Sequence, residues 1–249
     1  MKAILFLVLL NLSFFGASAQ DEVEYKEPSK ESSAYHDYRT FETIPTWGLE
    51  KIRQLIKTIK PSEEDADFYQ AALTPKQFNG LKLREKFTYV MIYGESFSQI
   101  CDAFPPIQDE HKKIMGYLPD QLSEQNWSDK QRQFLMANRD SVMSYVKILT
   151  LPKHRMGLNL KKALLEVNAG EMIPFIIQEY KANPKDRDLL TVLNLLMLNN
   201  KYPAFMTSLS YKKMYAKEYD YTSWIEFNKA NEELILKRAT DFYNERFKK

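Results

Sequence analysis

Few residues in this chain have the types and spacing that chemistry needs. Cys101 is the single cysteine, and it would be a nucleophile if the fold brought a histidine to it. Its neighbours Phe97, Ile100 and Phe104 instead put it on an apolar helix face, where cysteine acts as a small buried hydrophobe. Gly94-Glu95-Ser96-Phe97-Ser98 has part of the form of a serine elbow but lacks its second glycine and the strand before it. Glu63, Glu64, Asp65 and Asp67 crowd a helix start, and Glu63 and Asp67 share a face that a hard cation or an acid–base pair could use. The helix dipole accounts for the same cluster without a ligand, and no glycine-centred calcium loop accompanies it. His36, His111 and His154 form no pair at helical spacing and no HExxH, so they read as solvated residues, with no metal and no cofactor expected. If the protein were a hydrolase acting on envelope material, Glu95 and Asp102 would serve as its acid and base.

Charge is segregated in the C-terminal half. No acid lies between Asp140 and Glu166, where Lys147, Lys153, Arg155, Lys161 and Lys162 accumulate. None lies between Asp188 and Glu218, where Lys201, Lys212, Lys213 and Lys217 alternate with Tyr202, Tyr211 and Tyr215. If the two stretches converge, they form a basic, aromatic-lined surface for an acidic protein or an anionic polymer. Otherwise the lysines solvate outer faces while the tyrosines pack between helices. The net charge of +2 argues against nucleic acid.

The elements that must position these residues read as helices. From Pro45, residues Leu49, Ile52, Leu55, Ile56 and Ile59 share one face behind a Thr46 cap. Ser62 and Asp65 then open a helix carrying Phe68, Tyr69, Ala72 and Leu73, and Thr74-Pro75 starts another. A long periodic stretch over 81–104 has Gly94 as a kink and Pro105-Pro106 as its stop. Ser128 caps the next helix, which reaches Leu149 before Pro152. Gly170 closes the helix holding Leu160 and Leu164, as the left-handed residue. The segment 188–198 is apolar on nearly every side, the pattern of a covered central helix. A last helix begins near Thr222 and carries Trp224, Phe227, Ile235 and Phe242. Strand-like alternation is missing, so the expected class is all-α, with stacked antiparallel helices.

Within residues 171–199, Ile173-Pro174 opens one helix and Asp186-Arg187-Asp188 precedes a second, apolar one. This unit resembles a helical repeat of the HEAT kind. The resemblance covers one repeat and implies an α-solenoid in the C-terminal half, with no particular partner.

The chain opens with Lys2, an apolar run from Ala3 to Leu12 extended by Phe14 and Phe15, and the small-x-small triplet Ala17-Ser18-Ala19. That is the pattern of a secretory signal peptide over 1–19, cleaved between Ala19 and Gln20. The run is too short to span a bilayer, as is Leu189–Leu198, so no transmembrane segment is expected after cleavage. Residues 20–44 are acidic and poor in aliphatics, which predicts a flexible leader, with Tyr35, Tyr38 and Phe41 able to dock its end. Residues 45–249 make one helical domain, with a possible subdivision near 105–127. A single cysteine permits no internal disulfide, which favours a bacterial periplasm or secretion by a bacterium. The reading is an exported binding module for a protein or an anionic polymer.

Overall fold

The computed structural model describes residues 27–60, 67–100, 107–119, 123–217 and 220–248. The signal sequence with Ala19 and Gln20, the carboxylates 63–65, Cys101 and Asp102 all lie outside these residues. The described chain is mostly helical: α1 Lys30–Thr40, α2 Leu49–Ile56, α3 Pro75–Asn79, α4 Leu83–Ile92, α5 Asp129–Ala137, α6 Arg139–Thr150, α7 Leu158–Glu166, α8 Ile173–Ala182, α9 Asp188–Asn199, α10 Pro203–Met206, α11 Leu209–Met214 and α12 Lys229–Arg246. Five short strands interrupt them: β1 Phe68–Gln70, β2 Ser96–Ser98, β3 Lys113–Met115, β4 Gln125–Asn126 and β5 Trp224–Glu226. None of the described helices is long and apolar enough to cross a membrane.

The strands correct the expectation of helix throughout. β2 pairs antiparallel with β1 and β4, matching Phe97 to Tyr69 and to Gln125. β3 pairs with β5 through Ile114 and Ile225. The stretch expected to be helical through Gly94 therefore stops at Ile92. A Cβ on Gly94 would come within 2.8 Å of the Asn126 carbonyl oxygen, so the glycine lets the two backbones meet where the strands begin. Tyr69 and Phe97 stack across the pair with ring centroids 4.7 Å apart, a cross-strand contact that offsets the missing helical turns. The last helix likewise starts at Lys229, capped by Asn228, because Trp224–Glu226 is taken by the ladder with β3.

The predicted caps at Thr74 and Ser128 are both present as capping boxes. The first helix of the domain begins later than expected, after Gly48 at φ +66°. Asn168, at φ +47°, is the left-handed residue after α7; Gly170 is not. Gly170 instead makes room for the Phe247 ring, which packs where its Cβ would stand.

α9 is the centre of the core. Leu190, Val192, Leu193 and Leu196 have no exposed surface, and α7, α8, α10, α12 and β3 all pack on this helix. Fully burying each such side chain stabilises the fold by roughly 1.5–3 kcal/mol. α5 packs against α7 and α7 against α9, so the three helices lie side by side. Each ends at or beside an asparagine: Asn138, Asn168 and Asn200.

Residues 30–40, within the segment expected to be a flexible leader, form α1. α1 is capped by Ser29 and buries Ser32, Tyr35 and Arg39. Tyr35, named above as able to dock, is buried, but Ser32 and Arg39 beside it are polar and gave no sign of burial. Arg39 Nε donates to Asp188 at 2.9 Å, its Nη1 to Glu110 and its Nη2 to the Tyr117 carbonyl at 3.1 Å. Ion pairing and hydrogen bonding hold this helix to the domain where another would use aliphatic burial.

Candidate binding surface

The segment after α1 is laid across the start of α7 by one side chain. Asn159 Oδ1 accepts the Thr43 N–H at 3.0 Å while its Nδ2 donates to the Thr43 carbonyl at 2.8 Å. The same Nδ2 donates to the Met91 carbonyl at 2.9 Å, tying the clamp to α4. The Leu158 N–H donates to the Phe41 carbonyl, and the Gly157 N–H to Thr43 Oγ1. A Cβ on Gly157 would overlap the Thr43 backbone nitrogen, so only glycine permits this crossing.

The clamp leaves Phe41 and Ile44 exposed by 40% and 52%. With Ile148, Leu149 and Pro152 from the end of α6, they line a groove of about 490 Å³. Ten large apolar side chains among the described residues are more than a third exposed; Phe41, Ile44 and Ile148 line the groove, and Leu151 stands one turn along from Ile148. Ile44 also forms a wall of an adjoining depression of about 580 Å³, with Ile56, Ile92, Arg53 and Lys57. Lys153 and Arg155 edge the first groove. The Arg155 guanidinium lies 3.7 Å from the Phe41 ring centroid and 4.6 Å from that of Tyr38, over which Lys185 also sits. The result is an apolar trough with cations at both ends, although Glu42 and Glu50 moderate the field.

The cations of the first basic stretch have different surroundings. Lys161, expected at the surface, is buried with its Nζ 2.6 Å from Asp186 and 3.7 Å from Asp188. It belongs to the network that docks α1, where Arg39 and Lys161 face Glu110, Asp186 and Asp188. Two cations for three carboxylates is a deficit: burial pushes the Asp186 carboxyl up, and the charge of Lys161 only partly opposes it. Burial also acts to raise Glu110, but the hydrogen bond to His36 and the charge of Arg39 hold it below its ordinary value. Lys162 lies beside Trp127, its Nζ 5.3 Å from the indole centroid.

In the second stretch, Tyr202 and Tyr215 are buried and Tyr211 is half-buried. Tyr215 donates to the Gly116 carbonyl at 2.8 Å, and its ring meets Tyr117, Phe205 and Tyr211. Tyr202 donates to Glu245; burial first, and then that carboxylate, push its hydroxyl up to about 12. These tyrosines are packing residues, and Lys212, Lys213 and Lys217 stand exposed around them.

Glu95 is buried, and both of its carboxylate oxygens are engaged. Tyr89 Oη donates at 2.8 Å, Ser128 Oγ at 2.5 Å, and Lys130 Nζ lies 2.8 Å away. Its own N–H donates to Gln131. The carboxylate thus joins α4, the sheet and the capped start of α5. Each histidine has a partner: His36 with Glu110, His111 with Ser32 and His154 with Glu179. No group of three or more potential metal ligands occurs among the described residues.

The groove residues Ile44 and Ile148 escaped sequence reasoning, since single exposed apolar side chains carry no periodic signal. The one available hint was Phe41 and Ile44 set close before Pro45, at the end of a segment otherwise poor in apolar residues. Comparison of the chain with protein-family models, characterised proteins and solved structures finds no match.

Proposed function

We propose that the protein is an exported, helical interaction module whose trough between Phe41 and Ile148 receives an acidic amphipathic segment of a partner protein. The observation that carries this reading is the gathering of Phe41, Ile44 and Ile148 into one groove edged by Lys153 and Arg155. An amphipathic helix presents apolar anchors every three to four residues, and acidic residues beside them would meet the cations at the ends of the trough. The side-by-side stacking of α5, α7 and α9 supports a short solenoid-like frame, rigid enough to hold the groove open. Export to a periplasm or beyond the cell rests on the signal pattern of Met1 to Ala19.

A photo-crosslinking residue in place of Ile148, introduced in the native cells, tests this directly. The captured segment should carry apolar residues at helical spacing flanked by Asp or Glu, and its synthetic peptide should bind the purified protein. Binding should fall at least tenfold in Ile44→Asp and Arg155→Glu. A peptide that binds both variants as well as it binds the parent protein would overturn the assignment.

A further inference from the structure

A second site, independent of the trough, is built around Trp127. Two cavities of about 470 and 210 Å³ share Asn126, Trp127 and Lys162 and so adjoin on either side of these residues, as the two ends of a cleft around Trp127. The larger end has an apolar floor of Leu118, Leu165 and Leu195, with the Arg132–Glu166 ion pair at 2.5 Å and Asn199 at its edge. The smaller end is walled by Tyr93, Ser123 and Gln125. Trp127 is held in place by its Nε1–H, which donates to the Val90 carbonyl at 2.8 Å.

The chemistry of this lining narrows the ligand. Arg132 is neutralised by Glu166 and Lys162 is placed over the indole, so no concentration of positive charge awaits a phosphate. An acyl chain needs an enclosed apolar cavity, and polar side chains wall both ends. The side-chain amides of Gln125 and Asn199 and the Tyr93 hydroxyl have no hydrogen-bond partner among the described residues. An amide or a phenol both donates and accepts, which matches a hydroxyl that does the same. The leucine floor suits the C–H face of a pyranose ring, while charged and amide groups suit its rim. We propose that this cleft binds an uncharged oligosaccharide, with Gln125 and Asn199 as hydrogen-bonding residues at its two ends and Trp127 between them.

The test is a titration of the isotopically labelled full chain with cellotetraose, maltotetraose and chitotetraose in turn, followed by proton–nitrogen spectra. At least one should shift the Trp127 indole N–H and the Gln125 and Asn199 side-chain amides saturably. The double variant Gln125→Ala/Asn199→Ala should keep the parental unfolding midpoint, since neither side chain has a hydrogen-bond partner among the described residues. Its affinity should fall about tenfold, the loss of two ordinary hydrogen bonds. No saturable shift with any of the three sugars at millimolar concentration would overturn the proposal, as would equal affinity in the double variant. Inorganic phosphate shifting the same signals more tightly than any sugar would make the cleft an anion site and also overturn it.

Discussion

The side-chain amide of Asn159 pairs with the backbone of Thr43 as a neighbouring strand would, accepting from its N–H and donating to its carbonyl. One side chain thereby fixes the register of the segment that joins α1 to α2. Phe41 and Ile44, two residues before Thr43 and one after it, take their places in the trough from that pairing. Asn159→Leu keeps the volume and removes both bonds together with the one to the Met91 carbonyl, leaving the Thr43 backbone groups without that partner. We expect a loss of about 2–3 kcal/mol in urea unfolding. Peptide binding at the trough should fall in the same variant even under conditions where it is fully folded.

Gly157→Ala is expected to act on the same crossing from the other side. Its methyl group would overlap the Thr43 nitrogen, so the segment must lift or α7 must shift. Amide hydrogen exchange over residues 41–44 should speed up markedly, with little change in α9. Unchanged exchange there would show that the close approach is not needed.

Arg39 is a buried cation with two carboxylate partners. Arg39→Met should cost about 3–5 kcal/mol, because Glu110 and Asp188 then stay buried without it. Limited proteolysis should also release α1 before the rest of the domain unfolds. A variant as stable as the parent would mean that the network contributes nothing net.

Glu110 makes part of this pH-dependent. Its folded carboxyl lies below its ordinary value of 4.5, so it contributes stability above that pH and loses it as pH falls from there through the folded value. Asp186, raised above 3.8, has the opposite sign: its share is present below 3.8 and lost as pH rises. Glu110→Gln removes the first contribution alone. Its stability should therefore fall less steeply than the parent's as the medium is acidified below about pH 4.5, measured by urea unfolding at successive pH values.

Asn168 and Asn200 exchange amide hydrogen bonds at 3.1 and 2.8 Å where α7 and α9 end. Asn168 also has a positive φ, which asparagine and glycine adopt more easily than alanine. Asn168→Gly should lose only the amide pair, about 0.5–1 kcal/mol, and Asn168→Ala about 1 kcal/mol more. Equal losses in urea unfolding would show that the backbone carries no strain at this position.

The sequence by itself determined the mostly helical class, the caps at Thr74 and Ser128, and the burial of the segment now seen as α9. Each of these depends on neighbours a few residues apart, through helical periodicity or a capping side chain that reaches its own backbone. Three further features were decided by tertiary structure. Residues 68–70, 96–98 and 224–226 became strands because partners distant in the chain supplied their hydrogen bonds, overriding a local helical pattern. Residues 30–40 became a docked helix because charges at Glu110 and Asp188 met Arg39, an attraction that composition cannot register. Lys161 went inside and Lys153 and Arg155 stayed at a groove edge, although all three looked alike as cations in a stretch without acids. Which of them faced water depended on where the carboxylates of Asp186 and Asp188 came to rest. A charged side chain can be buried only beside its counter-charge, and only the folded chain brings the two together.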